Sequence, residues 1–331
     1  MNYRSFIGID VSKLTFDVYV YDKKLKQQFT NNHSGYQSLC KWLKGNLKHD
    51  LKEAFICFEH TGLYSMNLAV FLQKSAVPYV IVPALEIKRS LGITRGKSDQ
   101  VDAQRISEYA YMKREKLEPT VLPSSTIFKL KPLLALRDRL VVDRAGYQAT
   151  YKEQKRVFAT KEYTLLFATY QQLIKELTKK IALIESEMNN LLQTDEEMKQ
   201  TFQLITGIKG IGPLTAAYLI VSTHNFSRFT SWRQFACYAG TAPFEYQSGT
   251  SIRGRSKVSP LANKQIKKLL FLSANNAARY DNELKEYYQR RLKEGKSKMS
   301  TLNIIKNKLI ARTFAVVKRQ TGYVDIRKFA A

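Results

Sequence analysis

The stretch Ser5-Phe6-Ile7-Gly8-Ile9-Asp10-Val11 is an almost wholly apolar run with an acid near its end. Such a run is typical of a central strand that is buried on both faces and carries a functional residue near its carboxyl end. The pattern predicts two further strands directly after it, at 15–21 and 25–30. Three strands that are followed by alternating helices and strands have the order of the ribonuclease-H fold.

The alternation continues through the next 70 or so residues of the chain. The pattern predicts helices at 36–43 and 64–73, strands at 54–58 and 79–82, and a helix that begins after Ser98. In a ribonuclease-H fold the first and fourth strands lie side by side at the centre of the sheet. We therefore expect Asp10 and Glu59, which end these two strands, to lie close together.

Gly96-Lys97-Ser98-Asp99-Gln100-Val101-Asp102-Ala103-Gln104-Arg105 reads as the start of that last helix, with Ser98 as its cap. Residues three apart share a helix face, so Asp99 and Asp102 would bring two carboxylates together. Acidic residues also suit the positive end of a helix dipole, which is the plainer interpretation of this pair alone.

Four acids in these positions predict a metal site: Asp10, Glu59, Asp99 and Asp102. Converging carboxylates repel one another unless cations lie between them, and Mg²⁺ prefers oxygen ligands. Two such ions can activate the attacking oxygen and stabilise the leaving oxygen of a phosphoryl transfer. Taken singly, Asp10 could be a turn residue and Glu59 a plain strand end.

The chain becomes helical and linker-like between Pro119 and about Gln200, and Ser124 or Ser125 can cap a long helix. A heptad seam then predicts either an antiparallel helical hairpin or a coiled coil between subunits. Its members are Phe167, Tyr170, Ile174, Leu177, Ile181, Ile184, Met188 and Leu191. We predict three domains: a metal domain at 1–118, a helical coiled-coil segment at 119–200 and a basic, mostly α-helical C-terminal domain at 201–331.

Residues 205–220 have the pattern of a helix-hairpin-helix motif around Gly210-Ile211-Gly212-Pro213. The glycines permit a tight turn, and Pro213 suits the first turn of the following helix. Exposed amides at such a helix start can bind a phosphate, which makes Lys209, Gly210 and Gly212 candidate nucleic-acid contacts. An ordinary pair of packed helices is the alternative.

The segment 246–257 is rich in small and basic residues, which fits a loop that approaches a phosphodiester. Arg253, Arg255 and Lys257 are candidate phosphate contacts. Ser248 could be a nucleophile, but no histidine or aspartate lies nearby in sequence to activate it, and a solvated turn is the commoner meaning of such a stretch.

The charge of the chain indicates a polyanionic partner. The 331 residues include 54 Lys and Arg against 28 Asp and Glu, a net charge of +26. Residues 228–331 carry 22 of these basic residues and 6 of the acidic ones. Because basic residues are spread over many segments and form no single amphipathic anchor, nucleic acid is favoured over a membrane surface.

The remaining composition fits a folded cytoplasmic protein. No apolar run approaches the roughly 18 residues that span a bilayer, and we find no signal peptide. Cys40, Cys57 and Cys237 have no metal-binding spacing, so reduced thiols are expected.

Taken together, these motifs resemble one family, the DEDD insertion-sequence transposases of the IS110 type, which are RuvC-like recombinases guided by a structured RNA. The resemblance covers nearly the whole chain. It rests on Phe6–Lys13, Glu59–Tyr64, Lys97–Ala103, Ile208–Gly212, Phe235–Pro243 and Ser248–Gly254, in that order.

The resemblance implies that Asp10, Glu59, Asp99 and Asp102 are the metal ligands and that Ser248 is the nucleophile. It implies a covalent phosphoserine intermediate with Mg²⁺, two ions per site, at the same phosphate. It further implies a homotetramer in which one subunit's serine completes another's acid site, and a noncoding guide RNA that pairs with donor and target DNA.

One segment departs from the family pattern. Relatives often continue after the serine loop with an Ile-Ser-Lys-x-Gly-Asn-like run, whereas this chain reads Val258-Ser259-Pro260-Leu261-Ala262-Asn263. We expect altered backbone contacts at Pro260 and Ala262 without loss of the fold.

Two alternatives remain open at the level of sequence. One is a metal-dependent, structure-selective endonuclease in which the acids activate water and Ser248 is only a loop residue. The other is a nonenzymatic nucleic-acid-binding protein, although a pure binder gains nothing from clustered negative charge facing phosphate.

Overall fold

The computed structural model describes residues 3–90, 99–158, 161–248 and 252–324, without the side chains of residues 99, 100, 246, 248, 252, 253 and 255. The chain divides into two compact units, Met1–Leu122 and Pro123–Ala331. The finer division into three domains stays a prediction. In the part that the structure describes, no helix is long and apolar enough to cross a membrane.

The first unit contains a five-stranded mixed sheet. Its strands are β1 Ser5–Val11, β2 Thr15–Val20, β3 Leu25–Thr30, β4 Ala54–Glu59 and β5 Tyr79–Val82. The order is β3-β2-β1-β4-β5; β1, β2 and β3 are antiparallel, whereas β4 runs parallel to both β1 and β5. The predicted ribonuclease-H-like fold is confirmed, including the adjacent first and fourth strands.

Helices cover both faces of this sheet. They are α1 His33–Asn46, α2 Met66–Lys74, α3 Ala84–Ser90 and α4 Asp99–Met112, with a short 3₁₀ helix at Leu51–Glu53. Leu39 and Leu68, from α1 and α2, pack with Ile7 and Ile9. Ile87 and Ile106, from α3 and α4, pack with Phe6, Phe55 and Cys57 on the other face. Side chains therefore alternate between two apolar layers along β1 and β4.

The second unit begins with two long helices, α5 Ser125–Val157 and α6 Thr164–Thr194. They run antiparallel, since Arg137 bonds to Glu185 and Tyr151 packs edge-on against Phe167. The heptad seam therefore packs within one chain, as the hairpin alternative predicted.

The rest of the second unit is mostly helical, around a core that includes Ile205, Leu219, Phe235, Leu270 and Leu309. Its elements are α7 Glu196–Thr206, α8 Pro213–Thr223, α9 Trp232–Tyr238, β6 Pro243–Ser248, β7 Ile252–Val258, α10 Lys264–Tyr280, α11 Asn282–Lys293 and α12 Lys298–Arg319. The strands β6 and β7 form an antiparallel hairpin where the sequence suggested a loop. The segment β6 contains two aromatic residues, Phe244 and Tyr246, on either side of Glu245. Aromatic residues favour strands, which outweighs the small residues that follow.

Candidate metal centre and serine hairpin

Asp10 and Glu59 lie at the same edge of the sheet. Ile9 is paired with Phe58 across the parallel strands β1 and β4, so the next residue of each strand is an acid. Phe6 and Cys57 face the layer covered by α3 and α4. Because side chains alternate along a strand, Asp10 and Glu59 belong to that same face. Both residues are half-buried.

The helix α4 crosses β1 at Gly8. A Cβ atom at Gly8 would lie 2.1 Å from the carbonyl oxygen of Ala103 and 2.4 Å from the backbone nitrogen of Ser107. Only glycine permits this approach. Asp102 directly precedes Ala103, so the contact brings it to the sheet face on which Asp10 stands.

Asp102 has a cationic neighbour on its own helix. Its Oδ1 accepts a hydrogen bond from Arg105 Nη1 at 3.0 Å, and both side chains are largely buried. The guanidinium therefore fixes the orientation of the Asp102 carboxylate.

Asp99 is the first residue of α4, one turn before Asp102, and its side chain lies outside the described part of the structure. Among the side chains that are described, no group of three or more His, Cys, Asp or Glu residues is placed to hold a metal ion. The backbone thus brings the predicted positions to one edge of the sheet, and metal binding by all four acids stays a prediction. Their carboxylate oxygens are the chemistry that a hard divalent cation requires.

One further acid on this face was missed by sequence reasoning. Glu86 lies on α3, a helix that the pattern did not predict, and its Oε1 accepts a hydrogen bond from the Tyr109 hydroxyl at 2.6 Å. Burial raises the pKa of the Cys57 thiol, and the charges of Glu59 and Glu86 raise it further. Because both carboxylates act on Cys57, Glu86 and Glu59 both lie near it. Acidic residues therefore extend beyond the predicted four along the sheet face that α3 and α4 cover.

Ser248 ends β6 and is paired with Ile252, the first residue of β7. Gln247 is likewise paired with Arg253. Residues 249–251 and the side chains of Ser248, Arg253 and Arg255 lie outside the described part, while Lys257 is exposed on β7. The structure therefore gives Ser248 a backbone position at the tip of a hairpin and leaves its side-chain contacts undescribed.

The start of this hairpin is held by buried hydrogen bonds that the sequence did not reveal. The Thr241 carbonyl accepts from Asn303 Nδ2 at 2.8 Å and from Asn307 Nδ2 at 3.0 Å. The Thr241 hydroxyl donates to Asn307 Oδ1 at 2.7 Å. Because Thr241 is fully buried, these bonds fix the entry to β6 against α12.

The exit from β7 is fixed to α9. Asn263 donates from its backbone N–H to the Tyr238 carbonyl and from Nδ2 to the Tyr238 hydroxyl, both at 2.9 Å. Ala262 packs on Gly240, where a Cβ would lie 2.3 Å from the Ala262 methyl group. The alanine that departs from the family pattern thus contacts the glycine just before β6.

The turn between α7 and α8 has the predicted glycine and proline geometry. Gly212 caps α8 and Pro213 occupies its first turn. Gly210 has a φ of +96°, and a Cβ there would lie 2.7 Å from the Ser273 carbonyl oxygen. Gly210 is therefore needed for packing against α10. Lys209 is half-buried and Gly212 is exposed, and their phosphate contacts stay predictions.

The strand order and the acids at the adjacent ends of β1 and β4 define a ribonuclease-H-like protein of the DEDD type. Two family models match the chain and together cover well over half of it. One, described as a transposase, matches residues 7–154. The other, described as the transposase IS116/IS110/IS902 family, matches residues 202–289.

Several bacterial proteins are similar to this chain. A pilin gene-inverting protein of Moraxella bovis is 28% identical over 327 residues, which are 97% of this chain and 98% of that protein. An uncharacterised 43.6 kDa protein of insertion element IS110 from Streptomyces coelicolor is 32% identical over 140 residues, 42% of this chain and 33% of that protein. A probable family 20 transposase of Pseudomonas aeruginosa is 27% identical over 143 residues, 42% of each chain.

The chain belongs to the IS110 family of transposases, with a DEDD domain at its N-terminal end. It is therefore an enzyme of the transposase class, which binds DNA and recombines it. Its DEDD domain implies a divalent metal ion.

Proposed function

We propose that this enzyme cuts and rejoins DNA with Asp10, Glu59, Asp99 and Asp102 as metal ligands and Ser248 as the nucleophile. The observation that carries the first part is the contact of Gly8 with Ala103, which brings the start of α4 to the edge where β1 and β4 end in acids. Because Gly8 has no side chain, the backbone of α4 can lie directly against β1. This close contact would keep the carboxylates of two strands and one helix together.

The proposed cations are Mg²⁺, two per site. When bound, they neutralise the scissile phosphate and favour ionised oxygens at the attacking and leaving positions. The four carboxylates would hold them, and the hydrogen bond from Arg105 would orient Asp102.

Ser248 would attack the DNA phosphorus atom. Its hydroxyl loses a proton, its oxygen bonds to phosphorus, and the deoxyribose oxygen leaves and takes up a proton. The covalent phosphoserine preserves the energy of the phosphodiester until a deoxyribose hydroxyl of another strand displaces the serine. Hydrogen bonds to Thr241 and Asn263 fix both ends of the β6–β7 hairpin. This supports the proposed role of Ser248, because a nucleophile must approach phosphorus from a fixed direction.

We further propose that the enzyme acts as a homotetramer on donor and target DNA, guided by a structured RNA. In this arrangement Lys209, Gly210, Gly212, Arg253, Arg255 and Lys257 would contact nucleic-acid phosphates. The net charge of +26 supports extensive phosphate binding. Because the full-length relative from Moraxella bovis is a pilin gene-inverting protein, inversion of a DNA segment is one reaction that this chain could perform.

The test is a reaction with Mg²⁺, the element's flanking RNA and a labelled donor-junction DNA, comparing wild type with Ser248→Ala and Asp10→Ala. We expect wild type to form a protein–DNA adduct that survives denaturation and both variants to form none. If Ser248→Ala still cuts DNA while Asp10→Ala does not, water is the nucleophile and the enzyme is a RuvC-like endonuclease. If all three proteins bind DNA and none cuts it, the protein is a nonenzymatic binder.

A further inference from the structure

Lys306 is a buried lysine in the C-terminal unit without an acidic partner. It lies on α12 and retains only 5% of its exposed surface. In the part of the chain that the structure describes, no hydrogen bond or ion pair reaches its ammonium group, and its nearest ring is Phe271, with a centroid 5.8 Å from Nζ. The ammonium nitrogen is not among the fully buried unpartnered atoms of the described residues, so it reaches solvent at the end of a buried stem. The partial desolvation of its charge costs free energy in the free protein.

A second cation adds to this cost. Lys267, on the neighbouring helix α10, lies near enough for its charge to act on Lys306. Burial lowers the pKa of Lys306, and the charge of Lys267 lowers it further. Two neighbouring cations without a described counter-ion raise the free energy of the folded state unless an anion binds close to both.

The two lysines lie beside the start of the β6–β7 hairpin. The Lys267 Cδ atom is 3.6 Å from the position that a Cβ on Gly240 would occupy. Lys306 directly precedes Asn307, which bonds to Thr241 at the entry to β6. An anion held here would therefore lie next to the element that carries Ser248.

We propose that Lys306 and Lys267 form a binding site for one backbone phosphate of the nucleic acid that this enzyme recombines. The ligand class is a phosphodiester, because the family binds DNA and the site offers two ammonium groups to which no carboxylate of the described residues is bonded. The proposal rests on DNA binding alone and does not depend on Ser248 as nucleophile.

The test combines stability with DNA binding in the full-length protein. Lys306→Met keeps the length of the side chain and removes the charge, which suits the buried surroundings of Phe271. Without DNA, we expect its thermal unfolding midpoint to equal or exceed that of wild type, because methionine occupies the buried path of the lysine stem and one of two neighbouring cations is removed. Its affinity for a short fluorescein-labelled DNA duplex should fall about tenfold, and the slope of log affinity against log salt should decrease by about one.

Lys268→Met is the matched control, since Lys268 is exposed on α10 and carries the same charge. The proposal is overturned if Lys306→Met weakens DNA binding no more than Lys268→Met, or if it unfolds at a clearly lower temperature, because the lysine would then be structural. A parallel titration with a single-stranded RNA of equal length separates the sources of phosphate: a loss with the duplex supports the proposal, and a loss with RNA alone overturns it, because the proposed ligand is the DNA that the enzyme recombines. Neither outcome depends on cleavage, so failure here is distinct from failure of the serine mechanism.

Discussion

Gly8 sets the distance between β1 and α4. An alanine methyl group there would overlap backbone atoms of Ala103 and Ser107, which cannot move as a flexible side chain would. We expect Gly8→Ala to destabilise the protein by about 2–4 kcal/mol in urea unfolding and to abolish DNA cleavage. The physical reason is that α4 must move away from the sheet and take Asp102 with it.

Gly45 provides the control for Gly8. It lies near the end of α1, and a Cβ there would meet nothing within 4 Å. Gly45→Ala should be neutral or stabilise the protein by about 0.5–1 kcal/mol. Equal losses of stability in the two variants would contradict the argument from close approach.

His224 gives the folded protein a specific acid sensitivity. Burial lowers the pKa of this histidine from 6.5 to about 4, and the charges of Arg228 and Lys131 add to the shift. As the pH falls from 6.5 towards 4, the unfolded chain binds a proton at this histidine, whereas the folded protein does not. The free energy of unfolding therefore decreases over this pH range.

The test for His224 is a change to asparagine. His224 has a φ of +50°, a left-handed conformation that asparagine tolerates. The unfolding midpoint of His224→Asn should depend less on pH than that of wild type between pH 6.5 and about 4. Parallel curves for the two proteins would show that this histidine does not control acid stability.

At the level of elements, the α5–α6 hairpin has apolar residues on its outside. Leu165 is 83% exposed and Leu183 is 62% exposed. They are 18 residues apart, which is five full turns, so they share one face of α6. Gln172, Glu176 and Lys179 lie between them on that face, so the two leucines are separate apolar contacts that the proposed assembly of several subunits would cover.

We expect the double variant Leu165→Glu/Leu183→Glu to reduce the mass measured by light scattering, while its circular dichroism stays that of wild type. Both side chains are exposed, so the fold of one chain does not need them. Ser186→Glu adds a charge at another exposed position of α6 and should leave the mass unchanged. An unaltered mass for the double variant would exclude this face from the subunit interface.

The elements that sequence reasoning identified are those with a strong period. A hydrophobic pattern that extends over many residues is recognisable in the sequence. Such a pattern marks β1, its parallel partner β4 and the heptad seam of α6. The seven-residue helix α3 buries only Ile87, which is too little to mark a helix, so Glu86 was missed with it. The hydrogen bonds of Thr241 with Asn303 and Asn307 join positions more than 60 residues apart. A local sequence pattern cannot predict a contact between such distant positions.

At the level of the whole molecule, the excess of positive charge is concentrated in the last third of the chain. Residues 228–331 carry an excess of 16 positive charges, whereas the predicted metal ligands are all in the first 102 residues. DNA binding should therefore depend mainly on the basic part and on salt, and cleavage should depend on the acids and their cations.

Removal of the metal separates these two activities. With a chelator present, we expect cleavage to stop while the enzyme still binds a DNA duplex, because the lysines and arginines do not need the ion. Under the same conditions Asp10→Asn should bind DNA about two- to threefold more tightly than wild type, since one negative charge near the phosphates is removed. With Mg²⁺ restored, wild type should cut and Asp10→Asn should not. If chelation abolished binding together with cleavage, the cations would be the principal DNA contact, and the excess of basic residues would have to serve another partner.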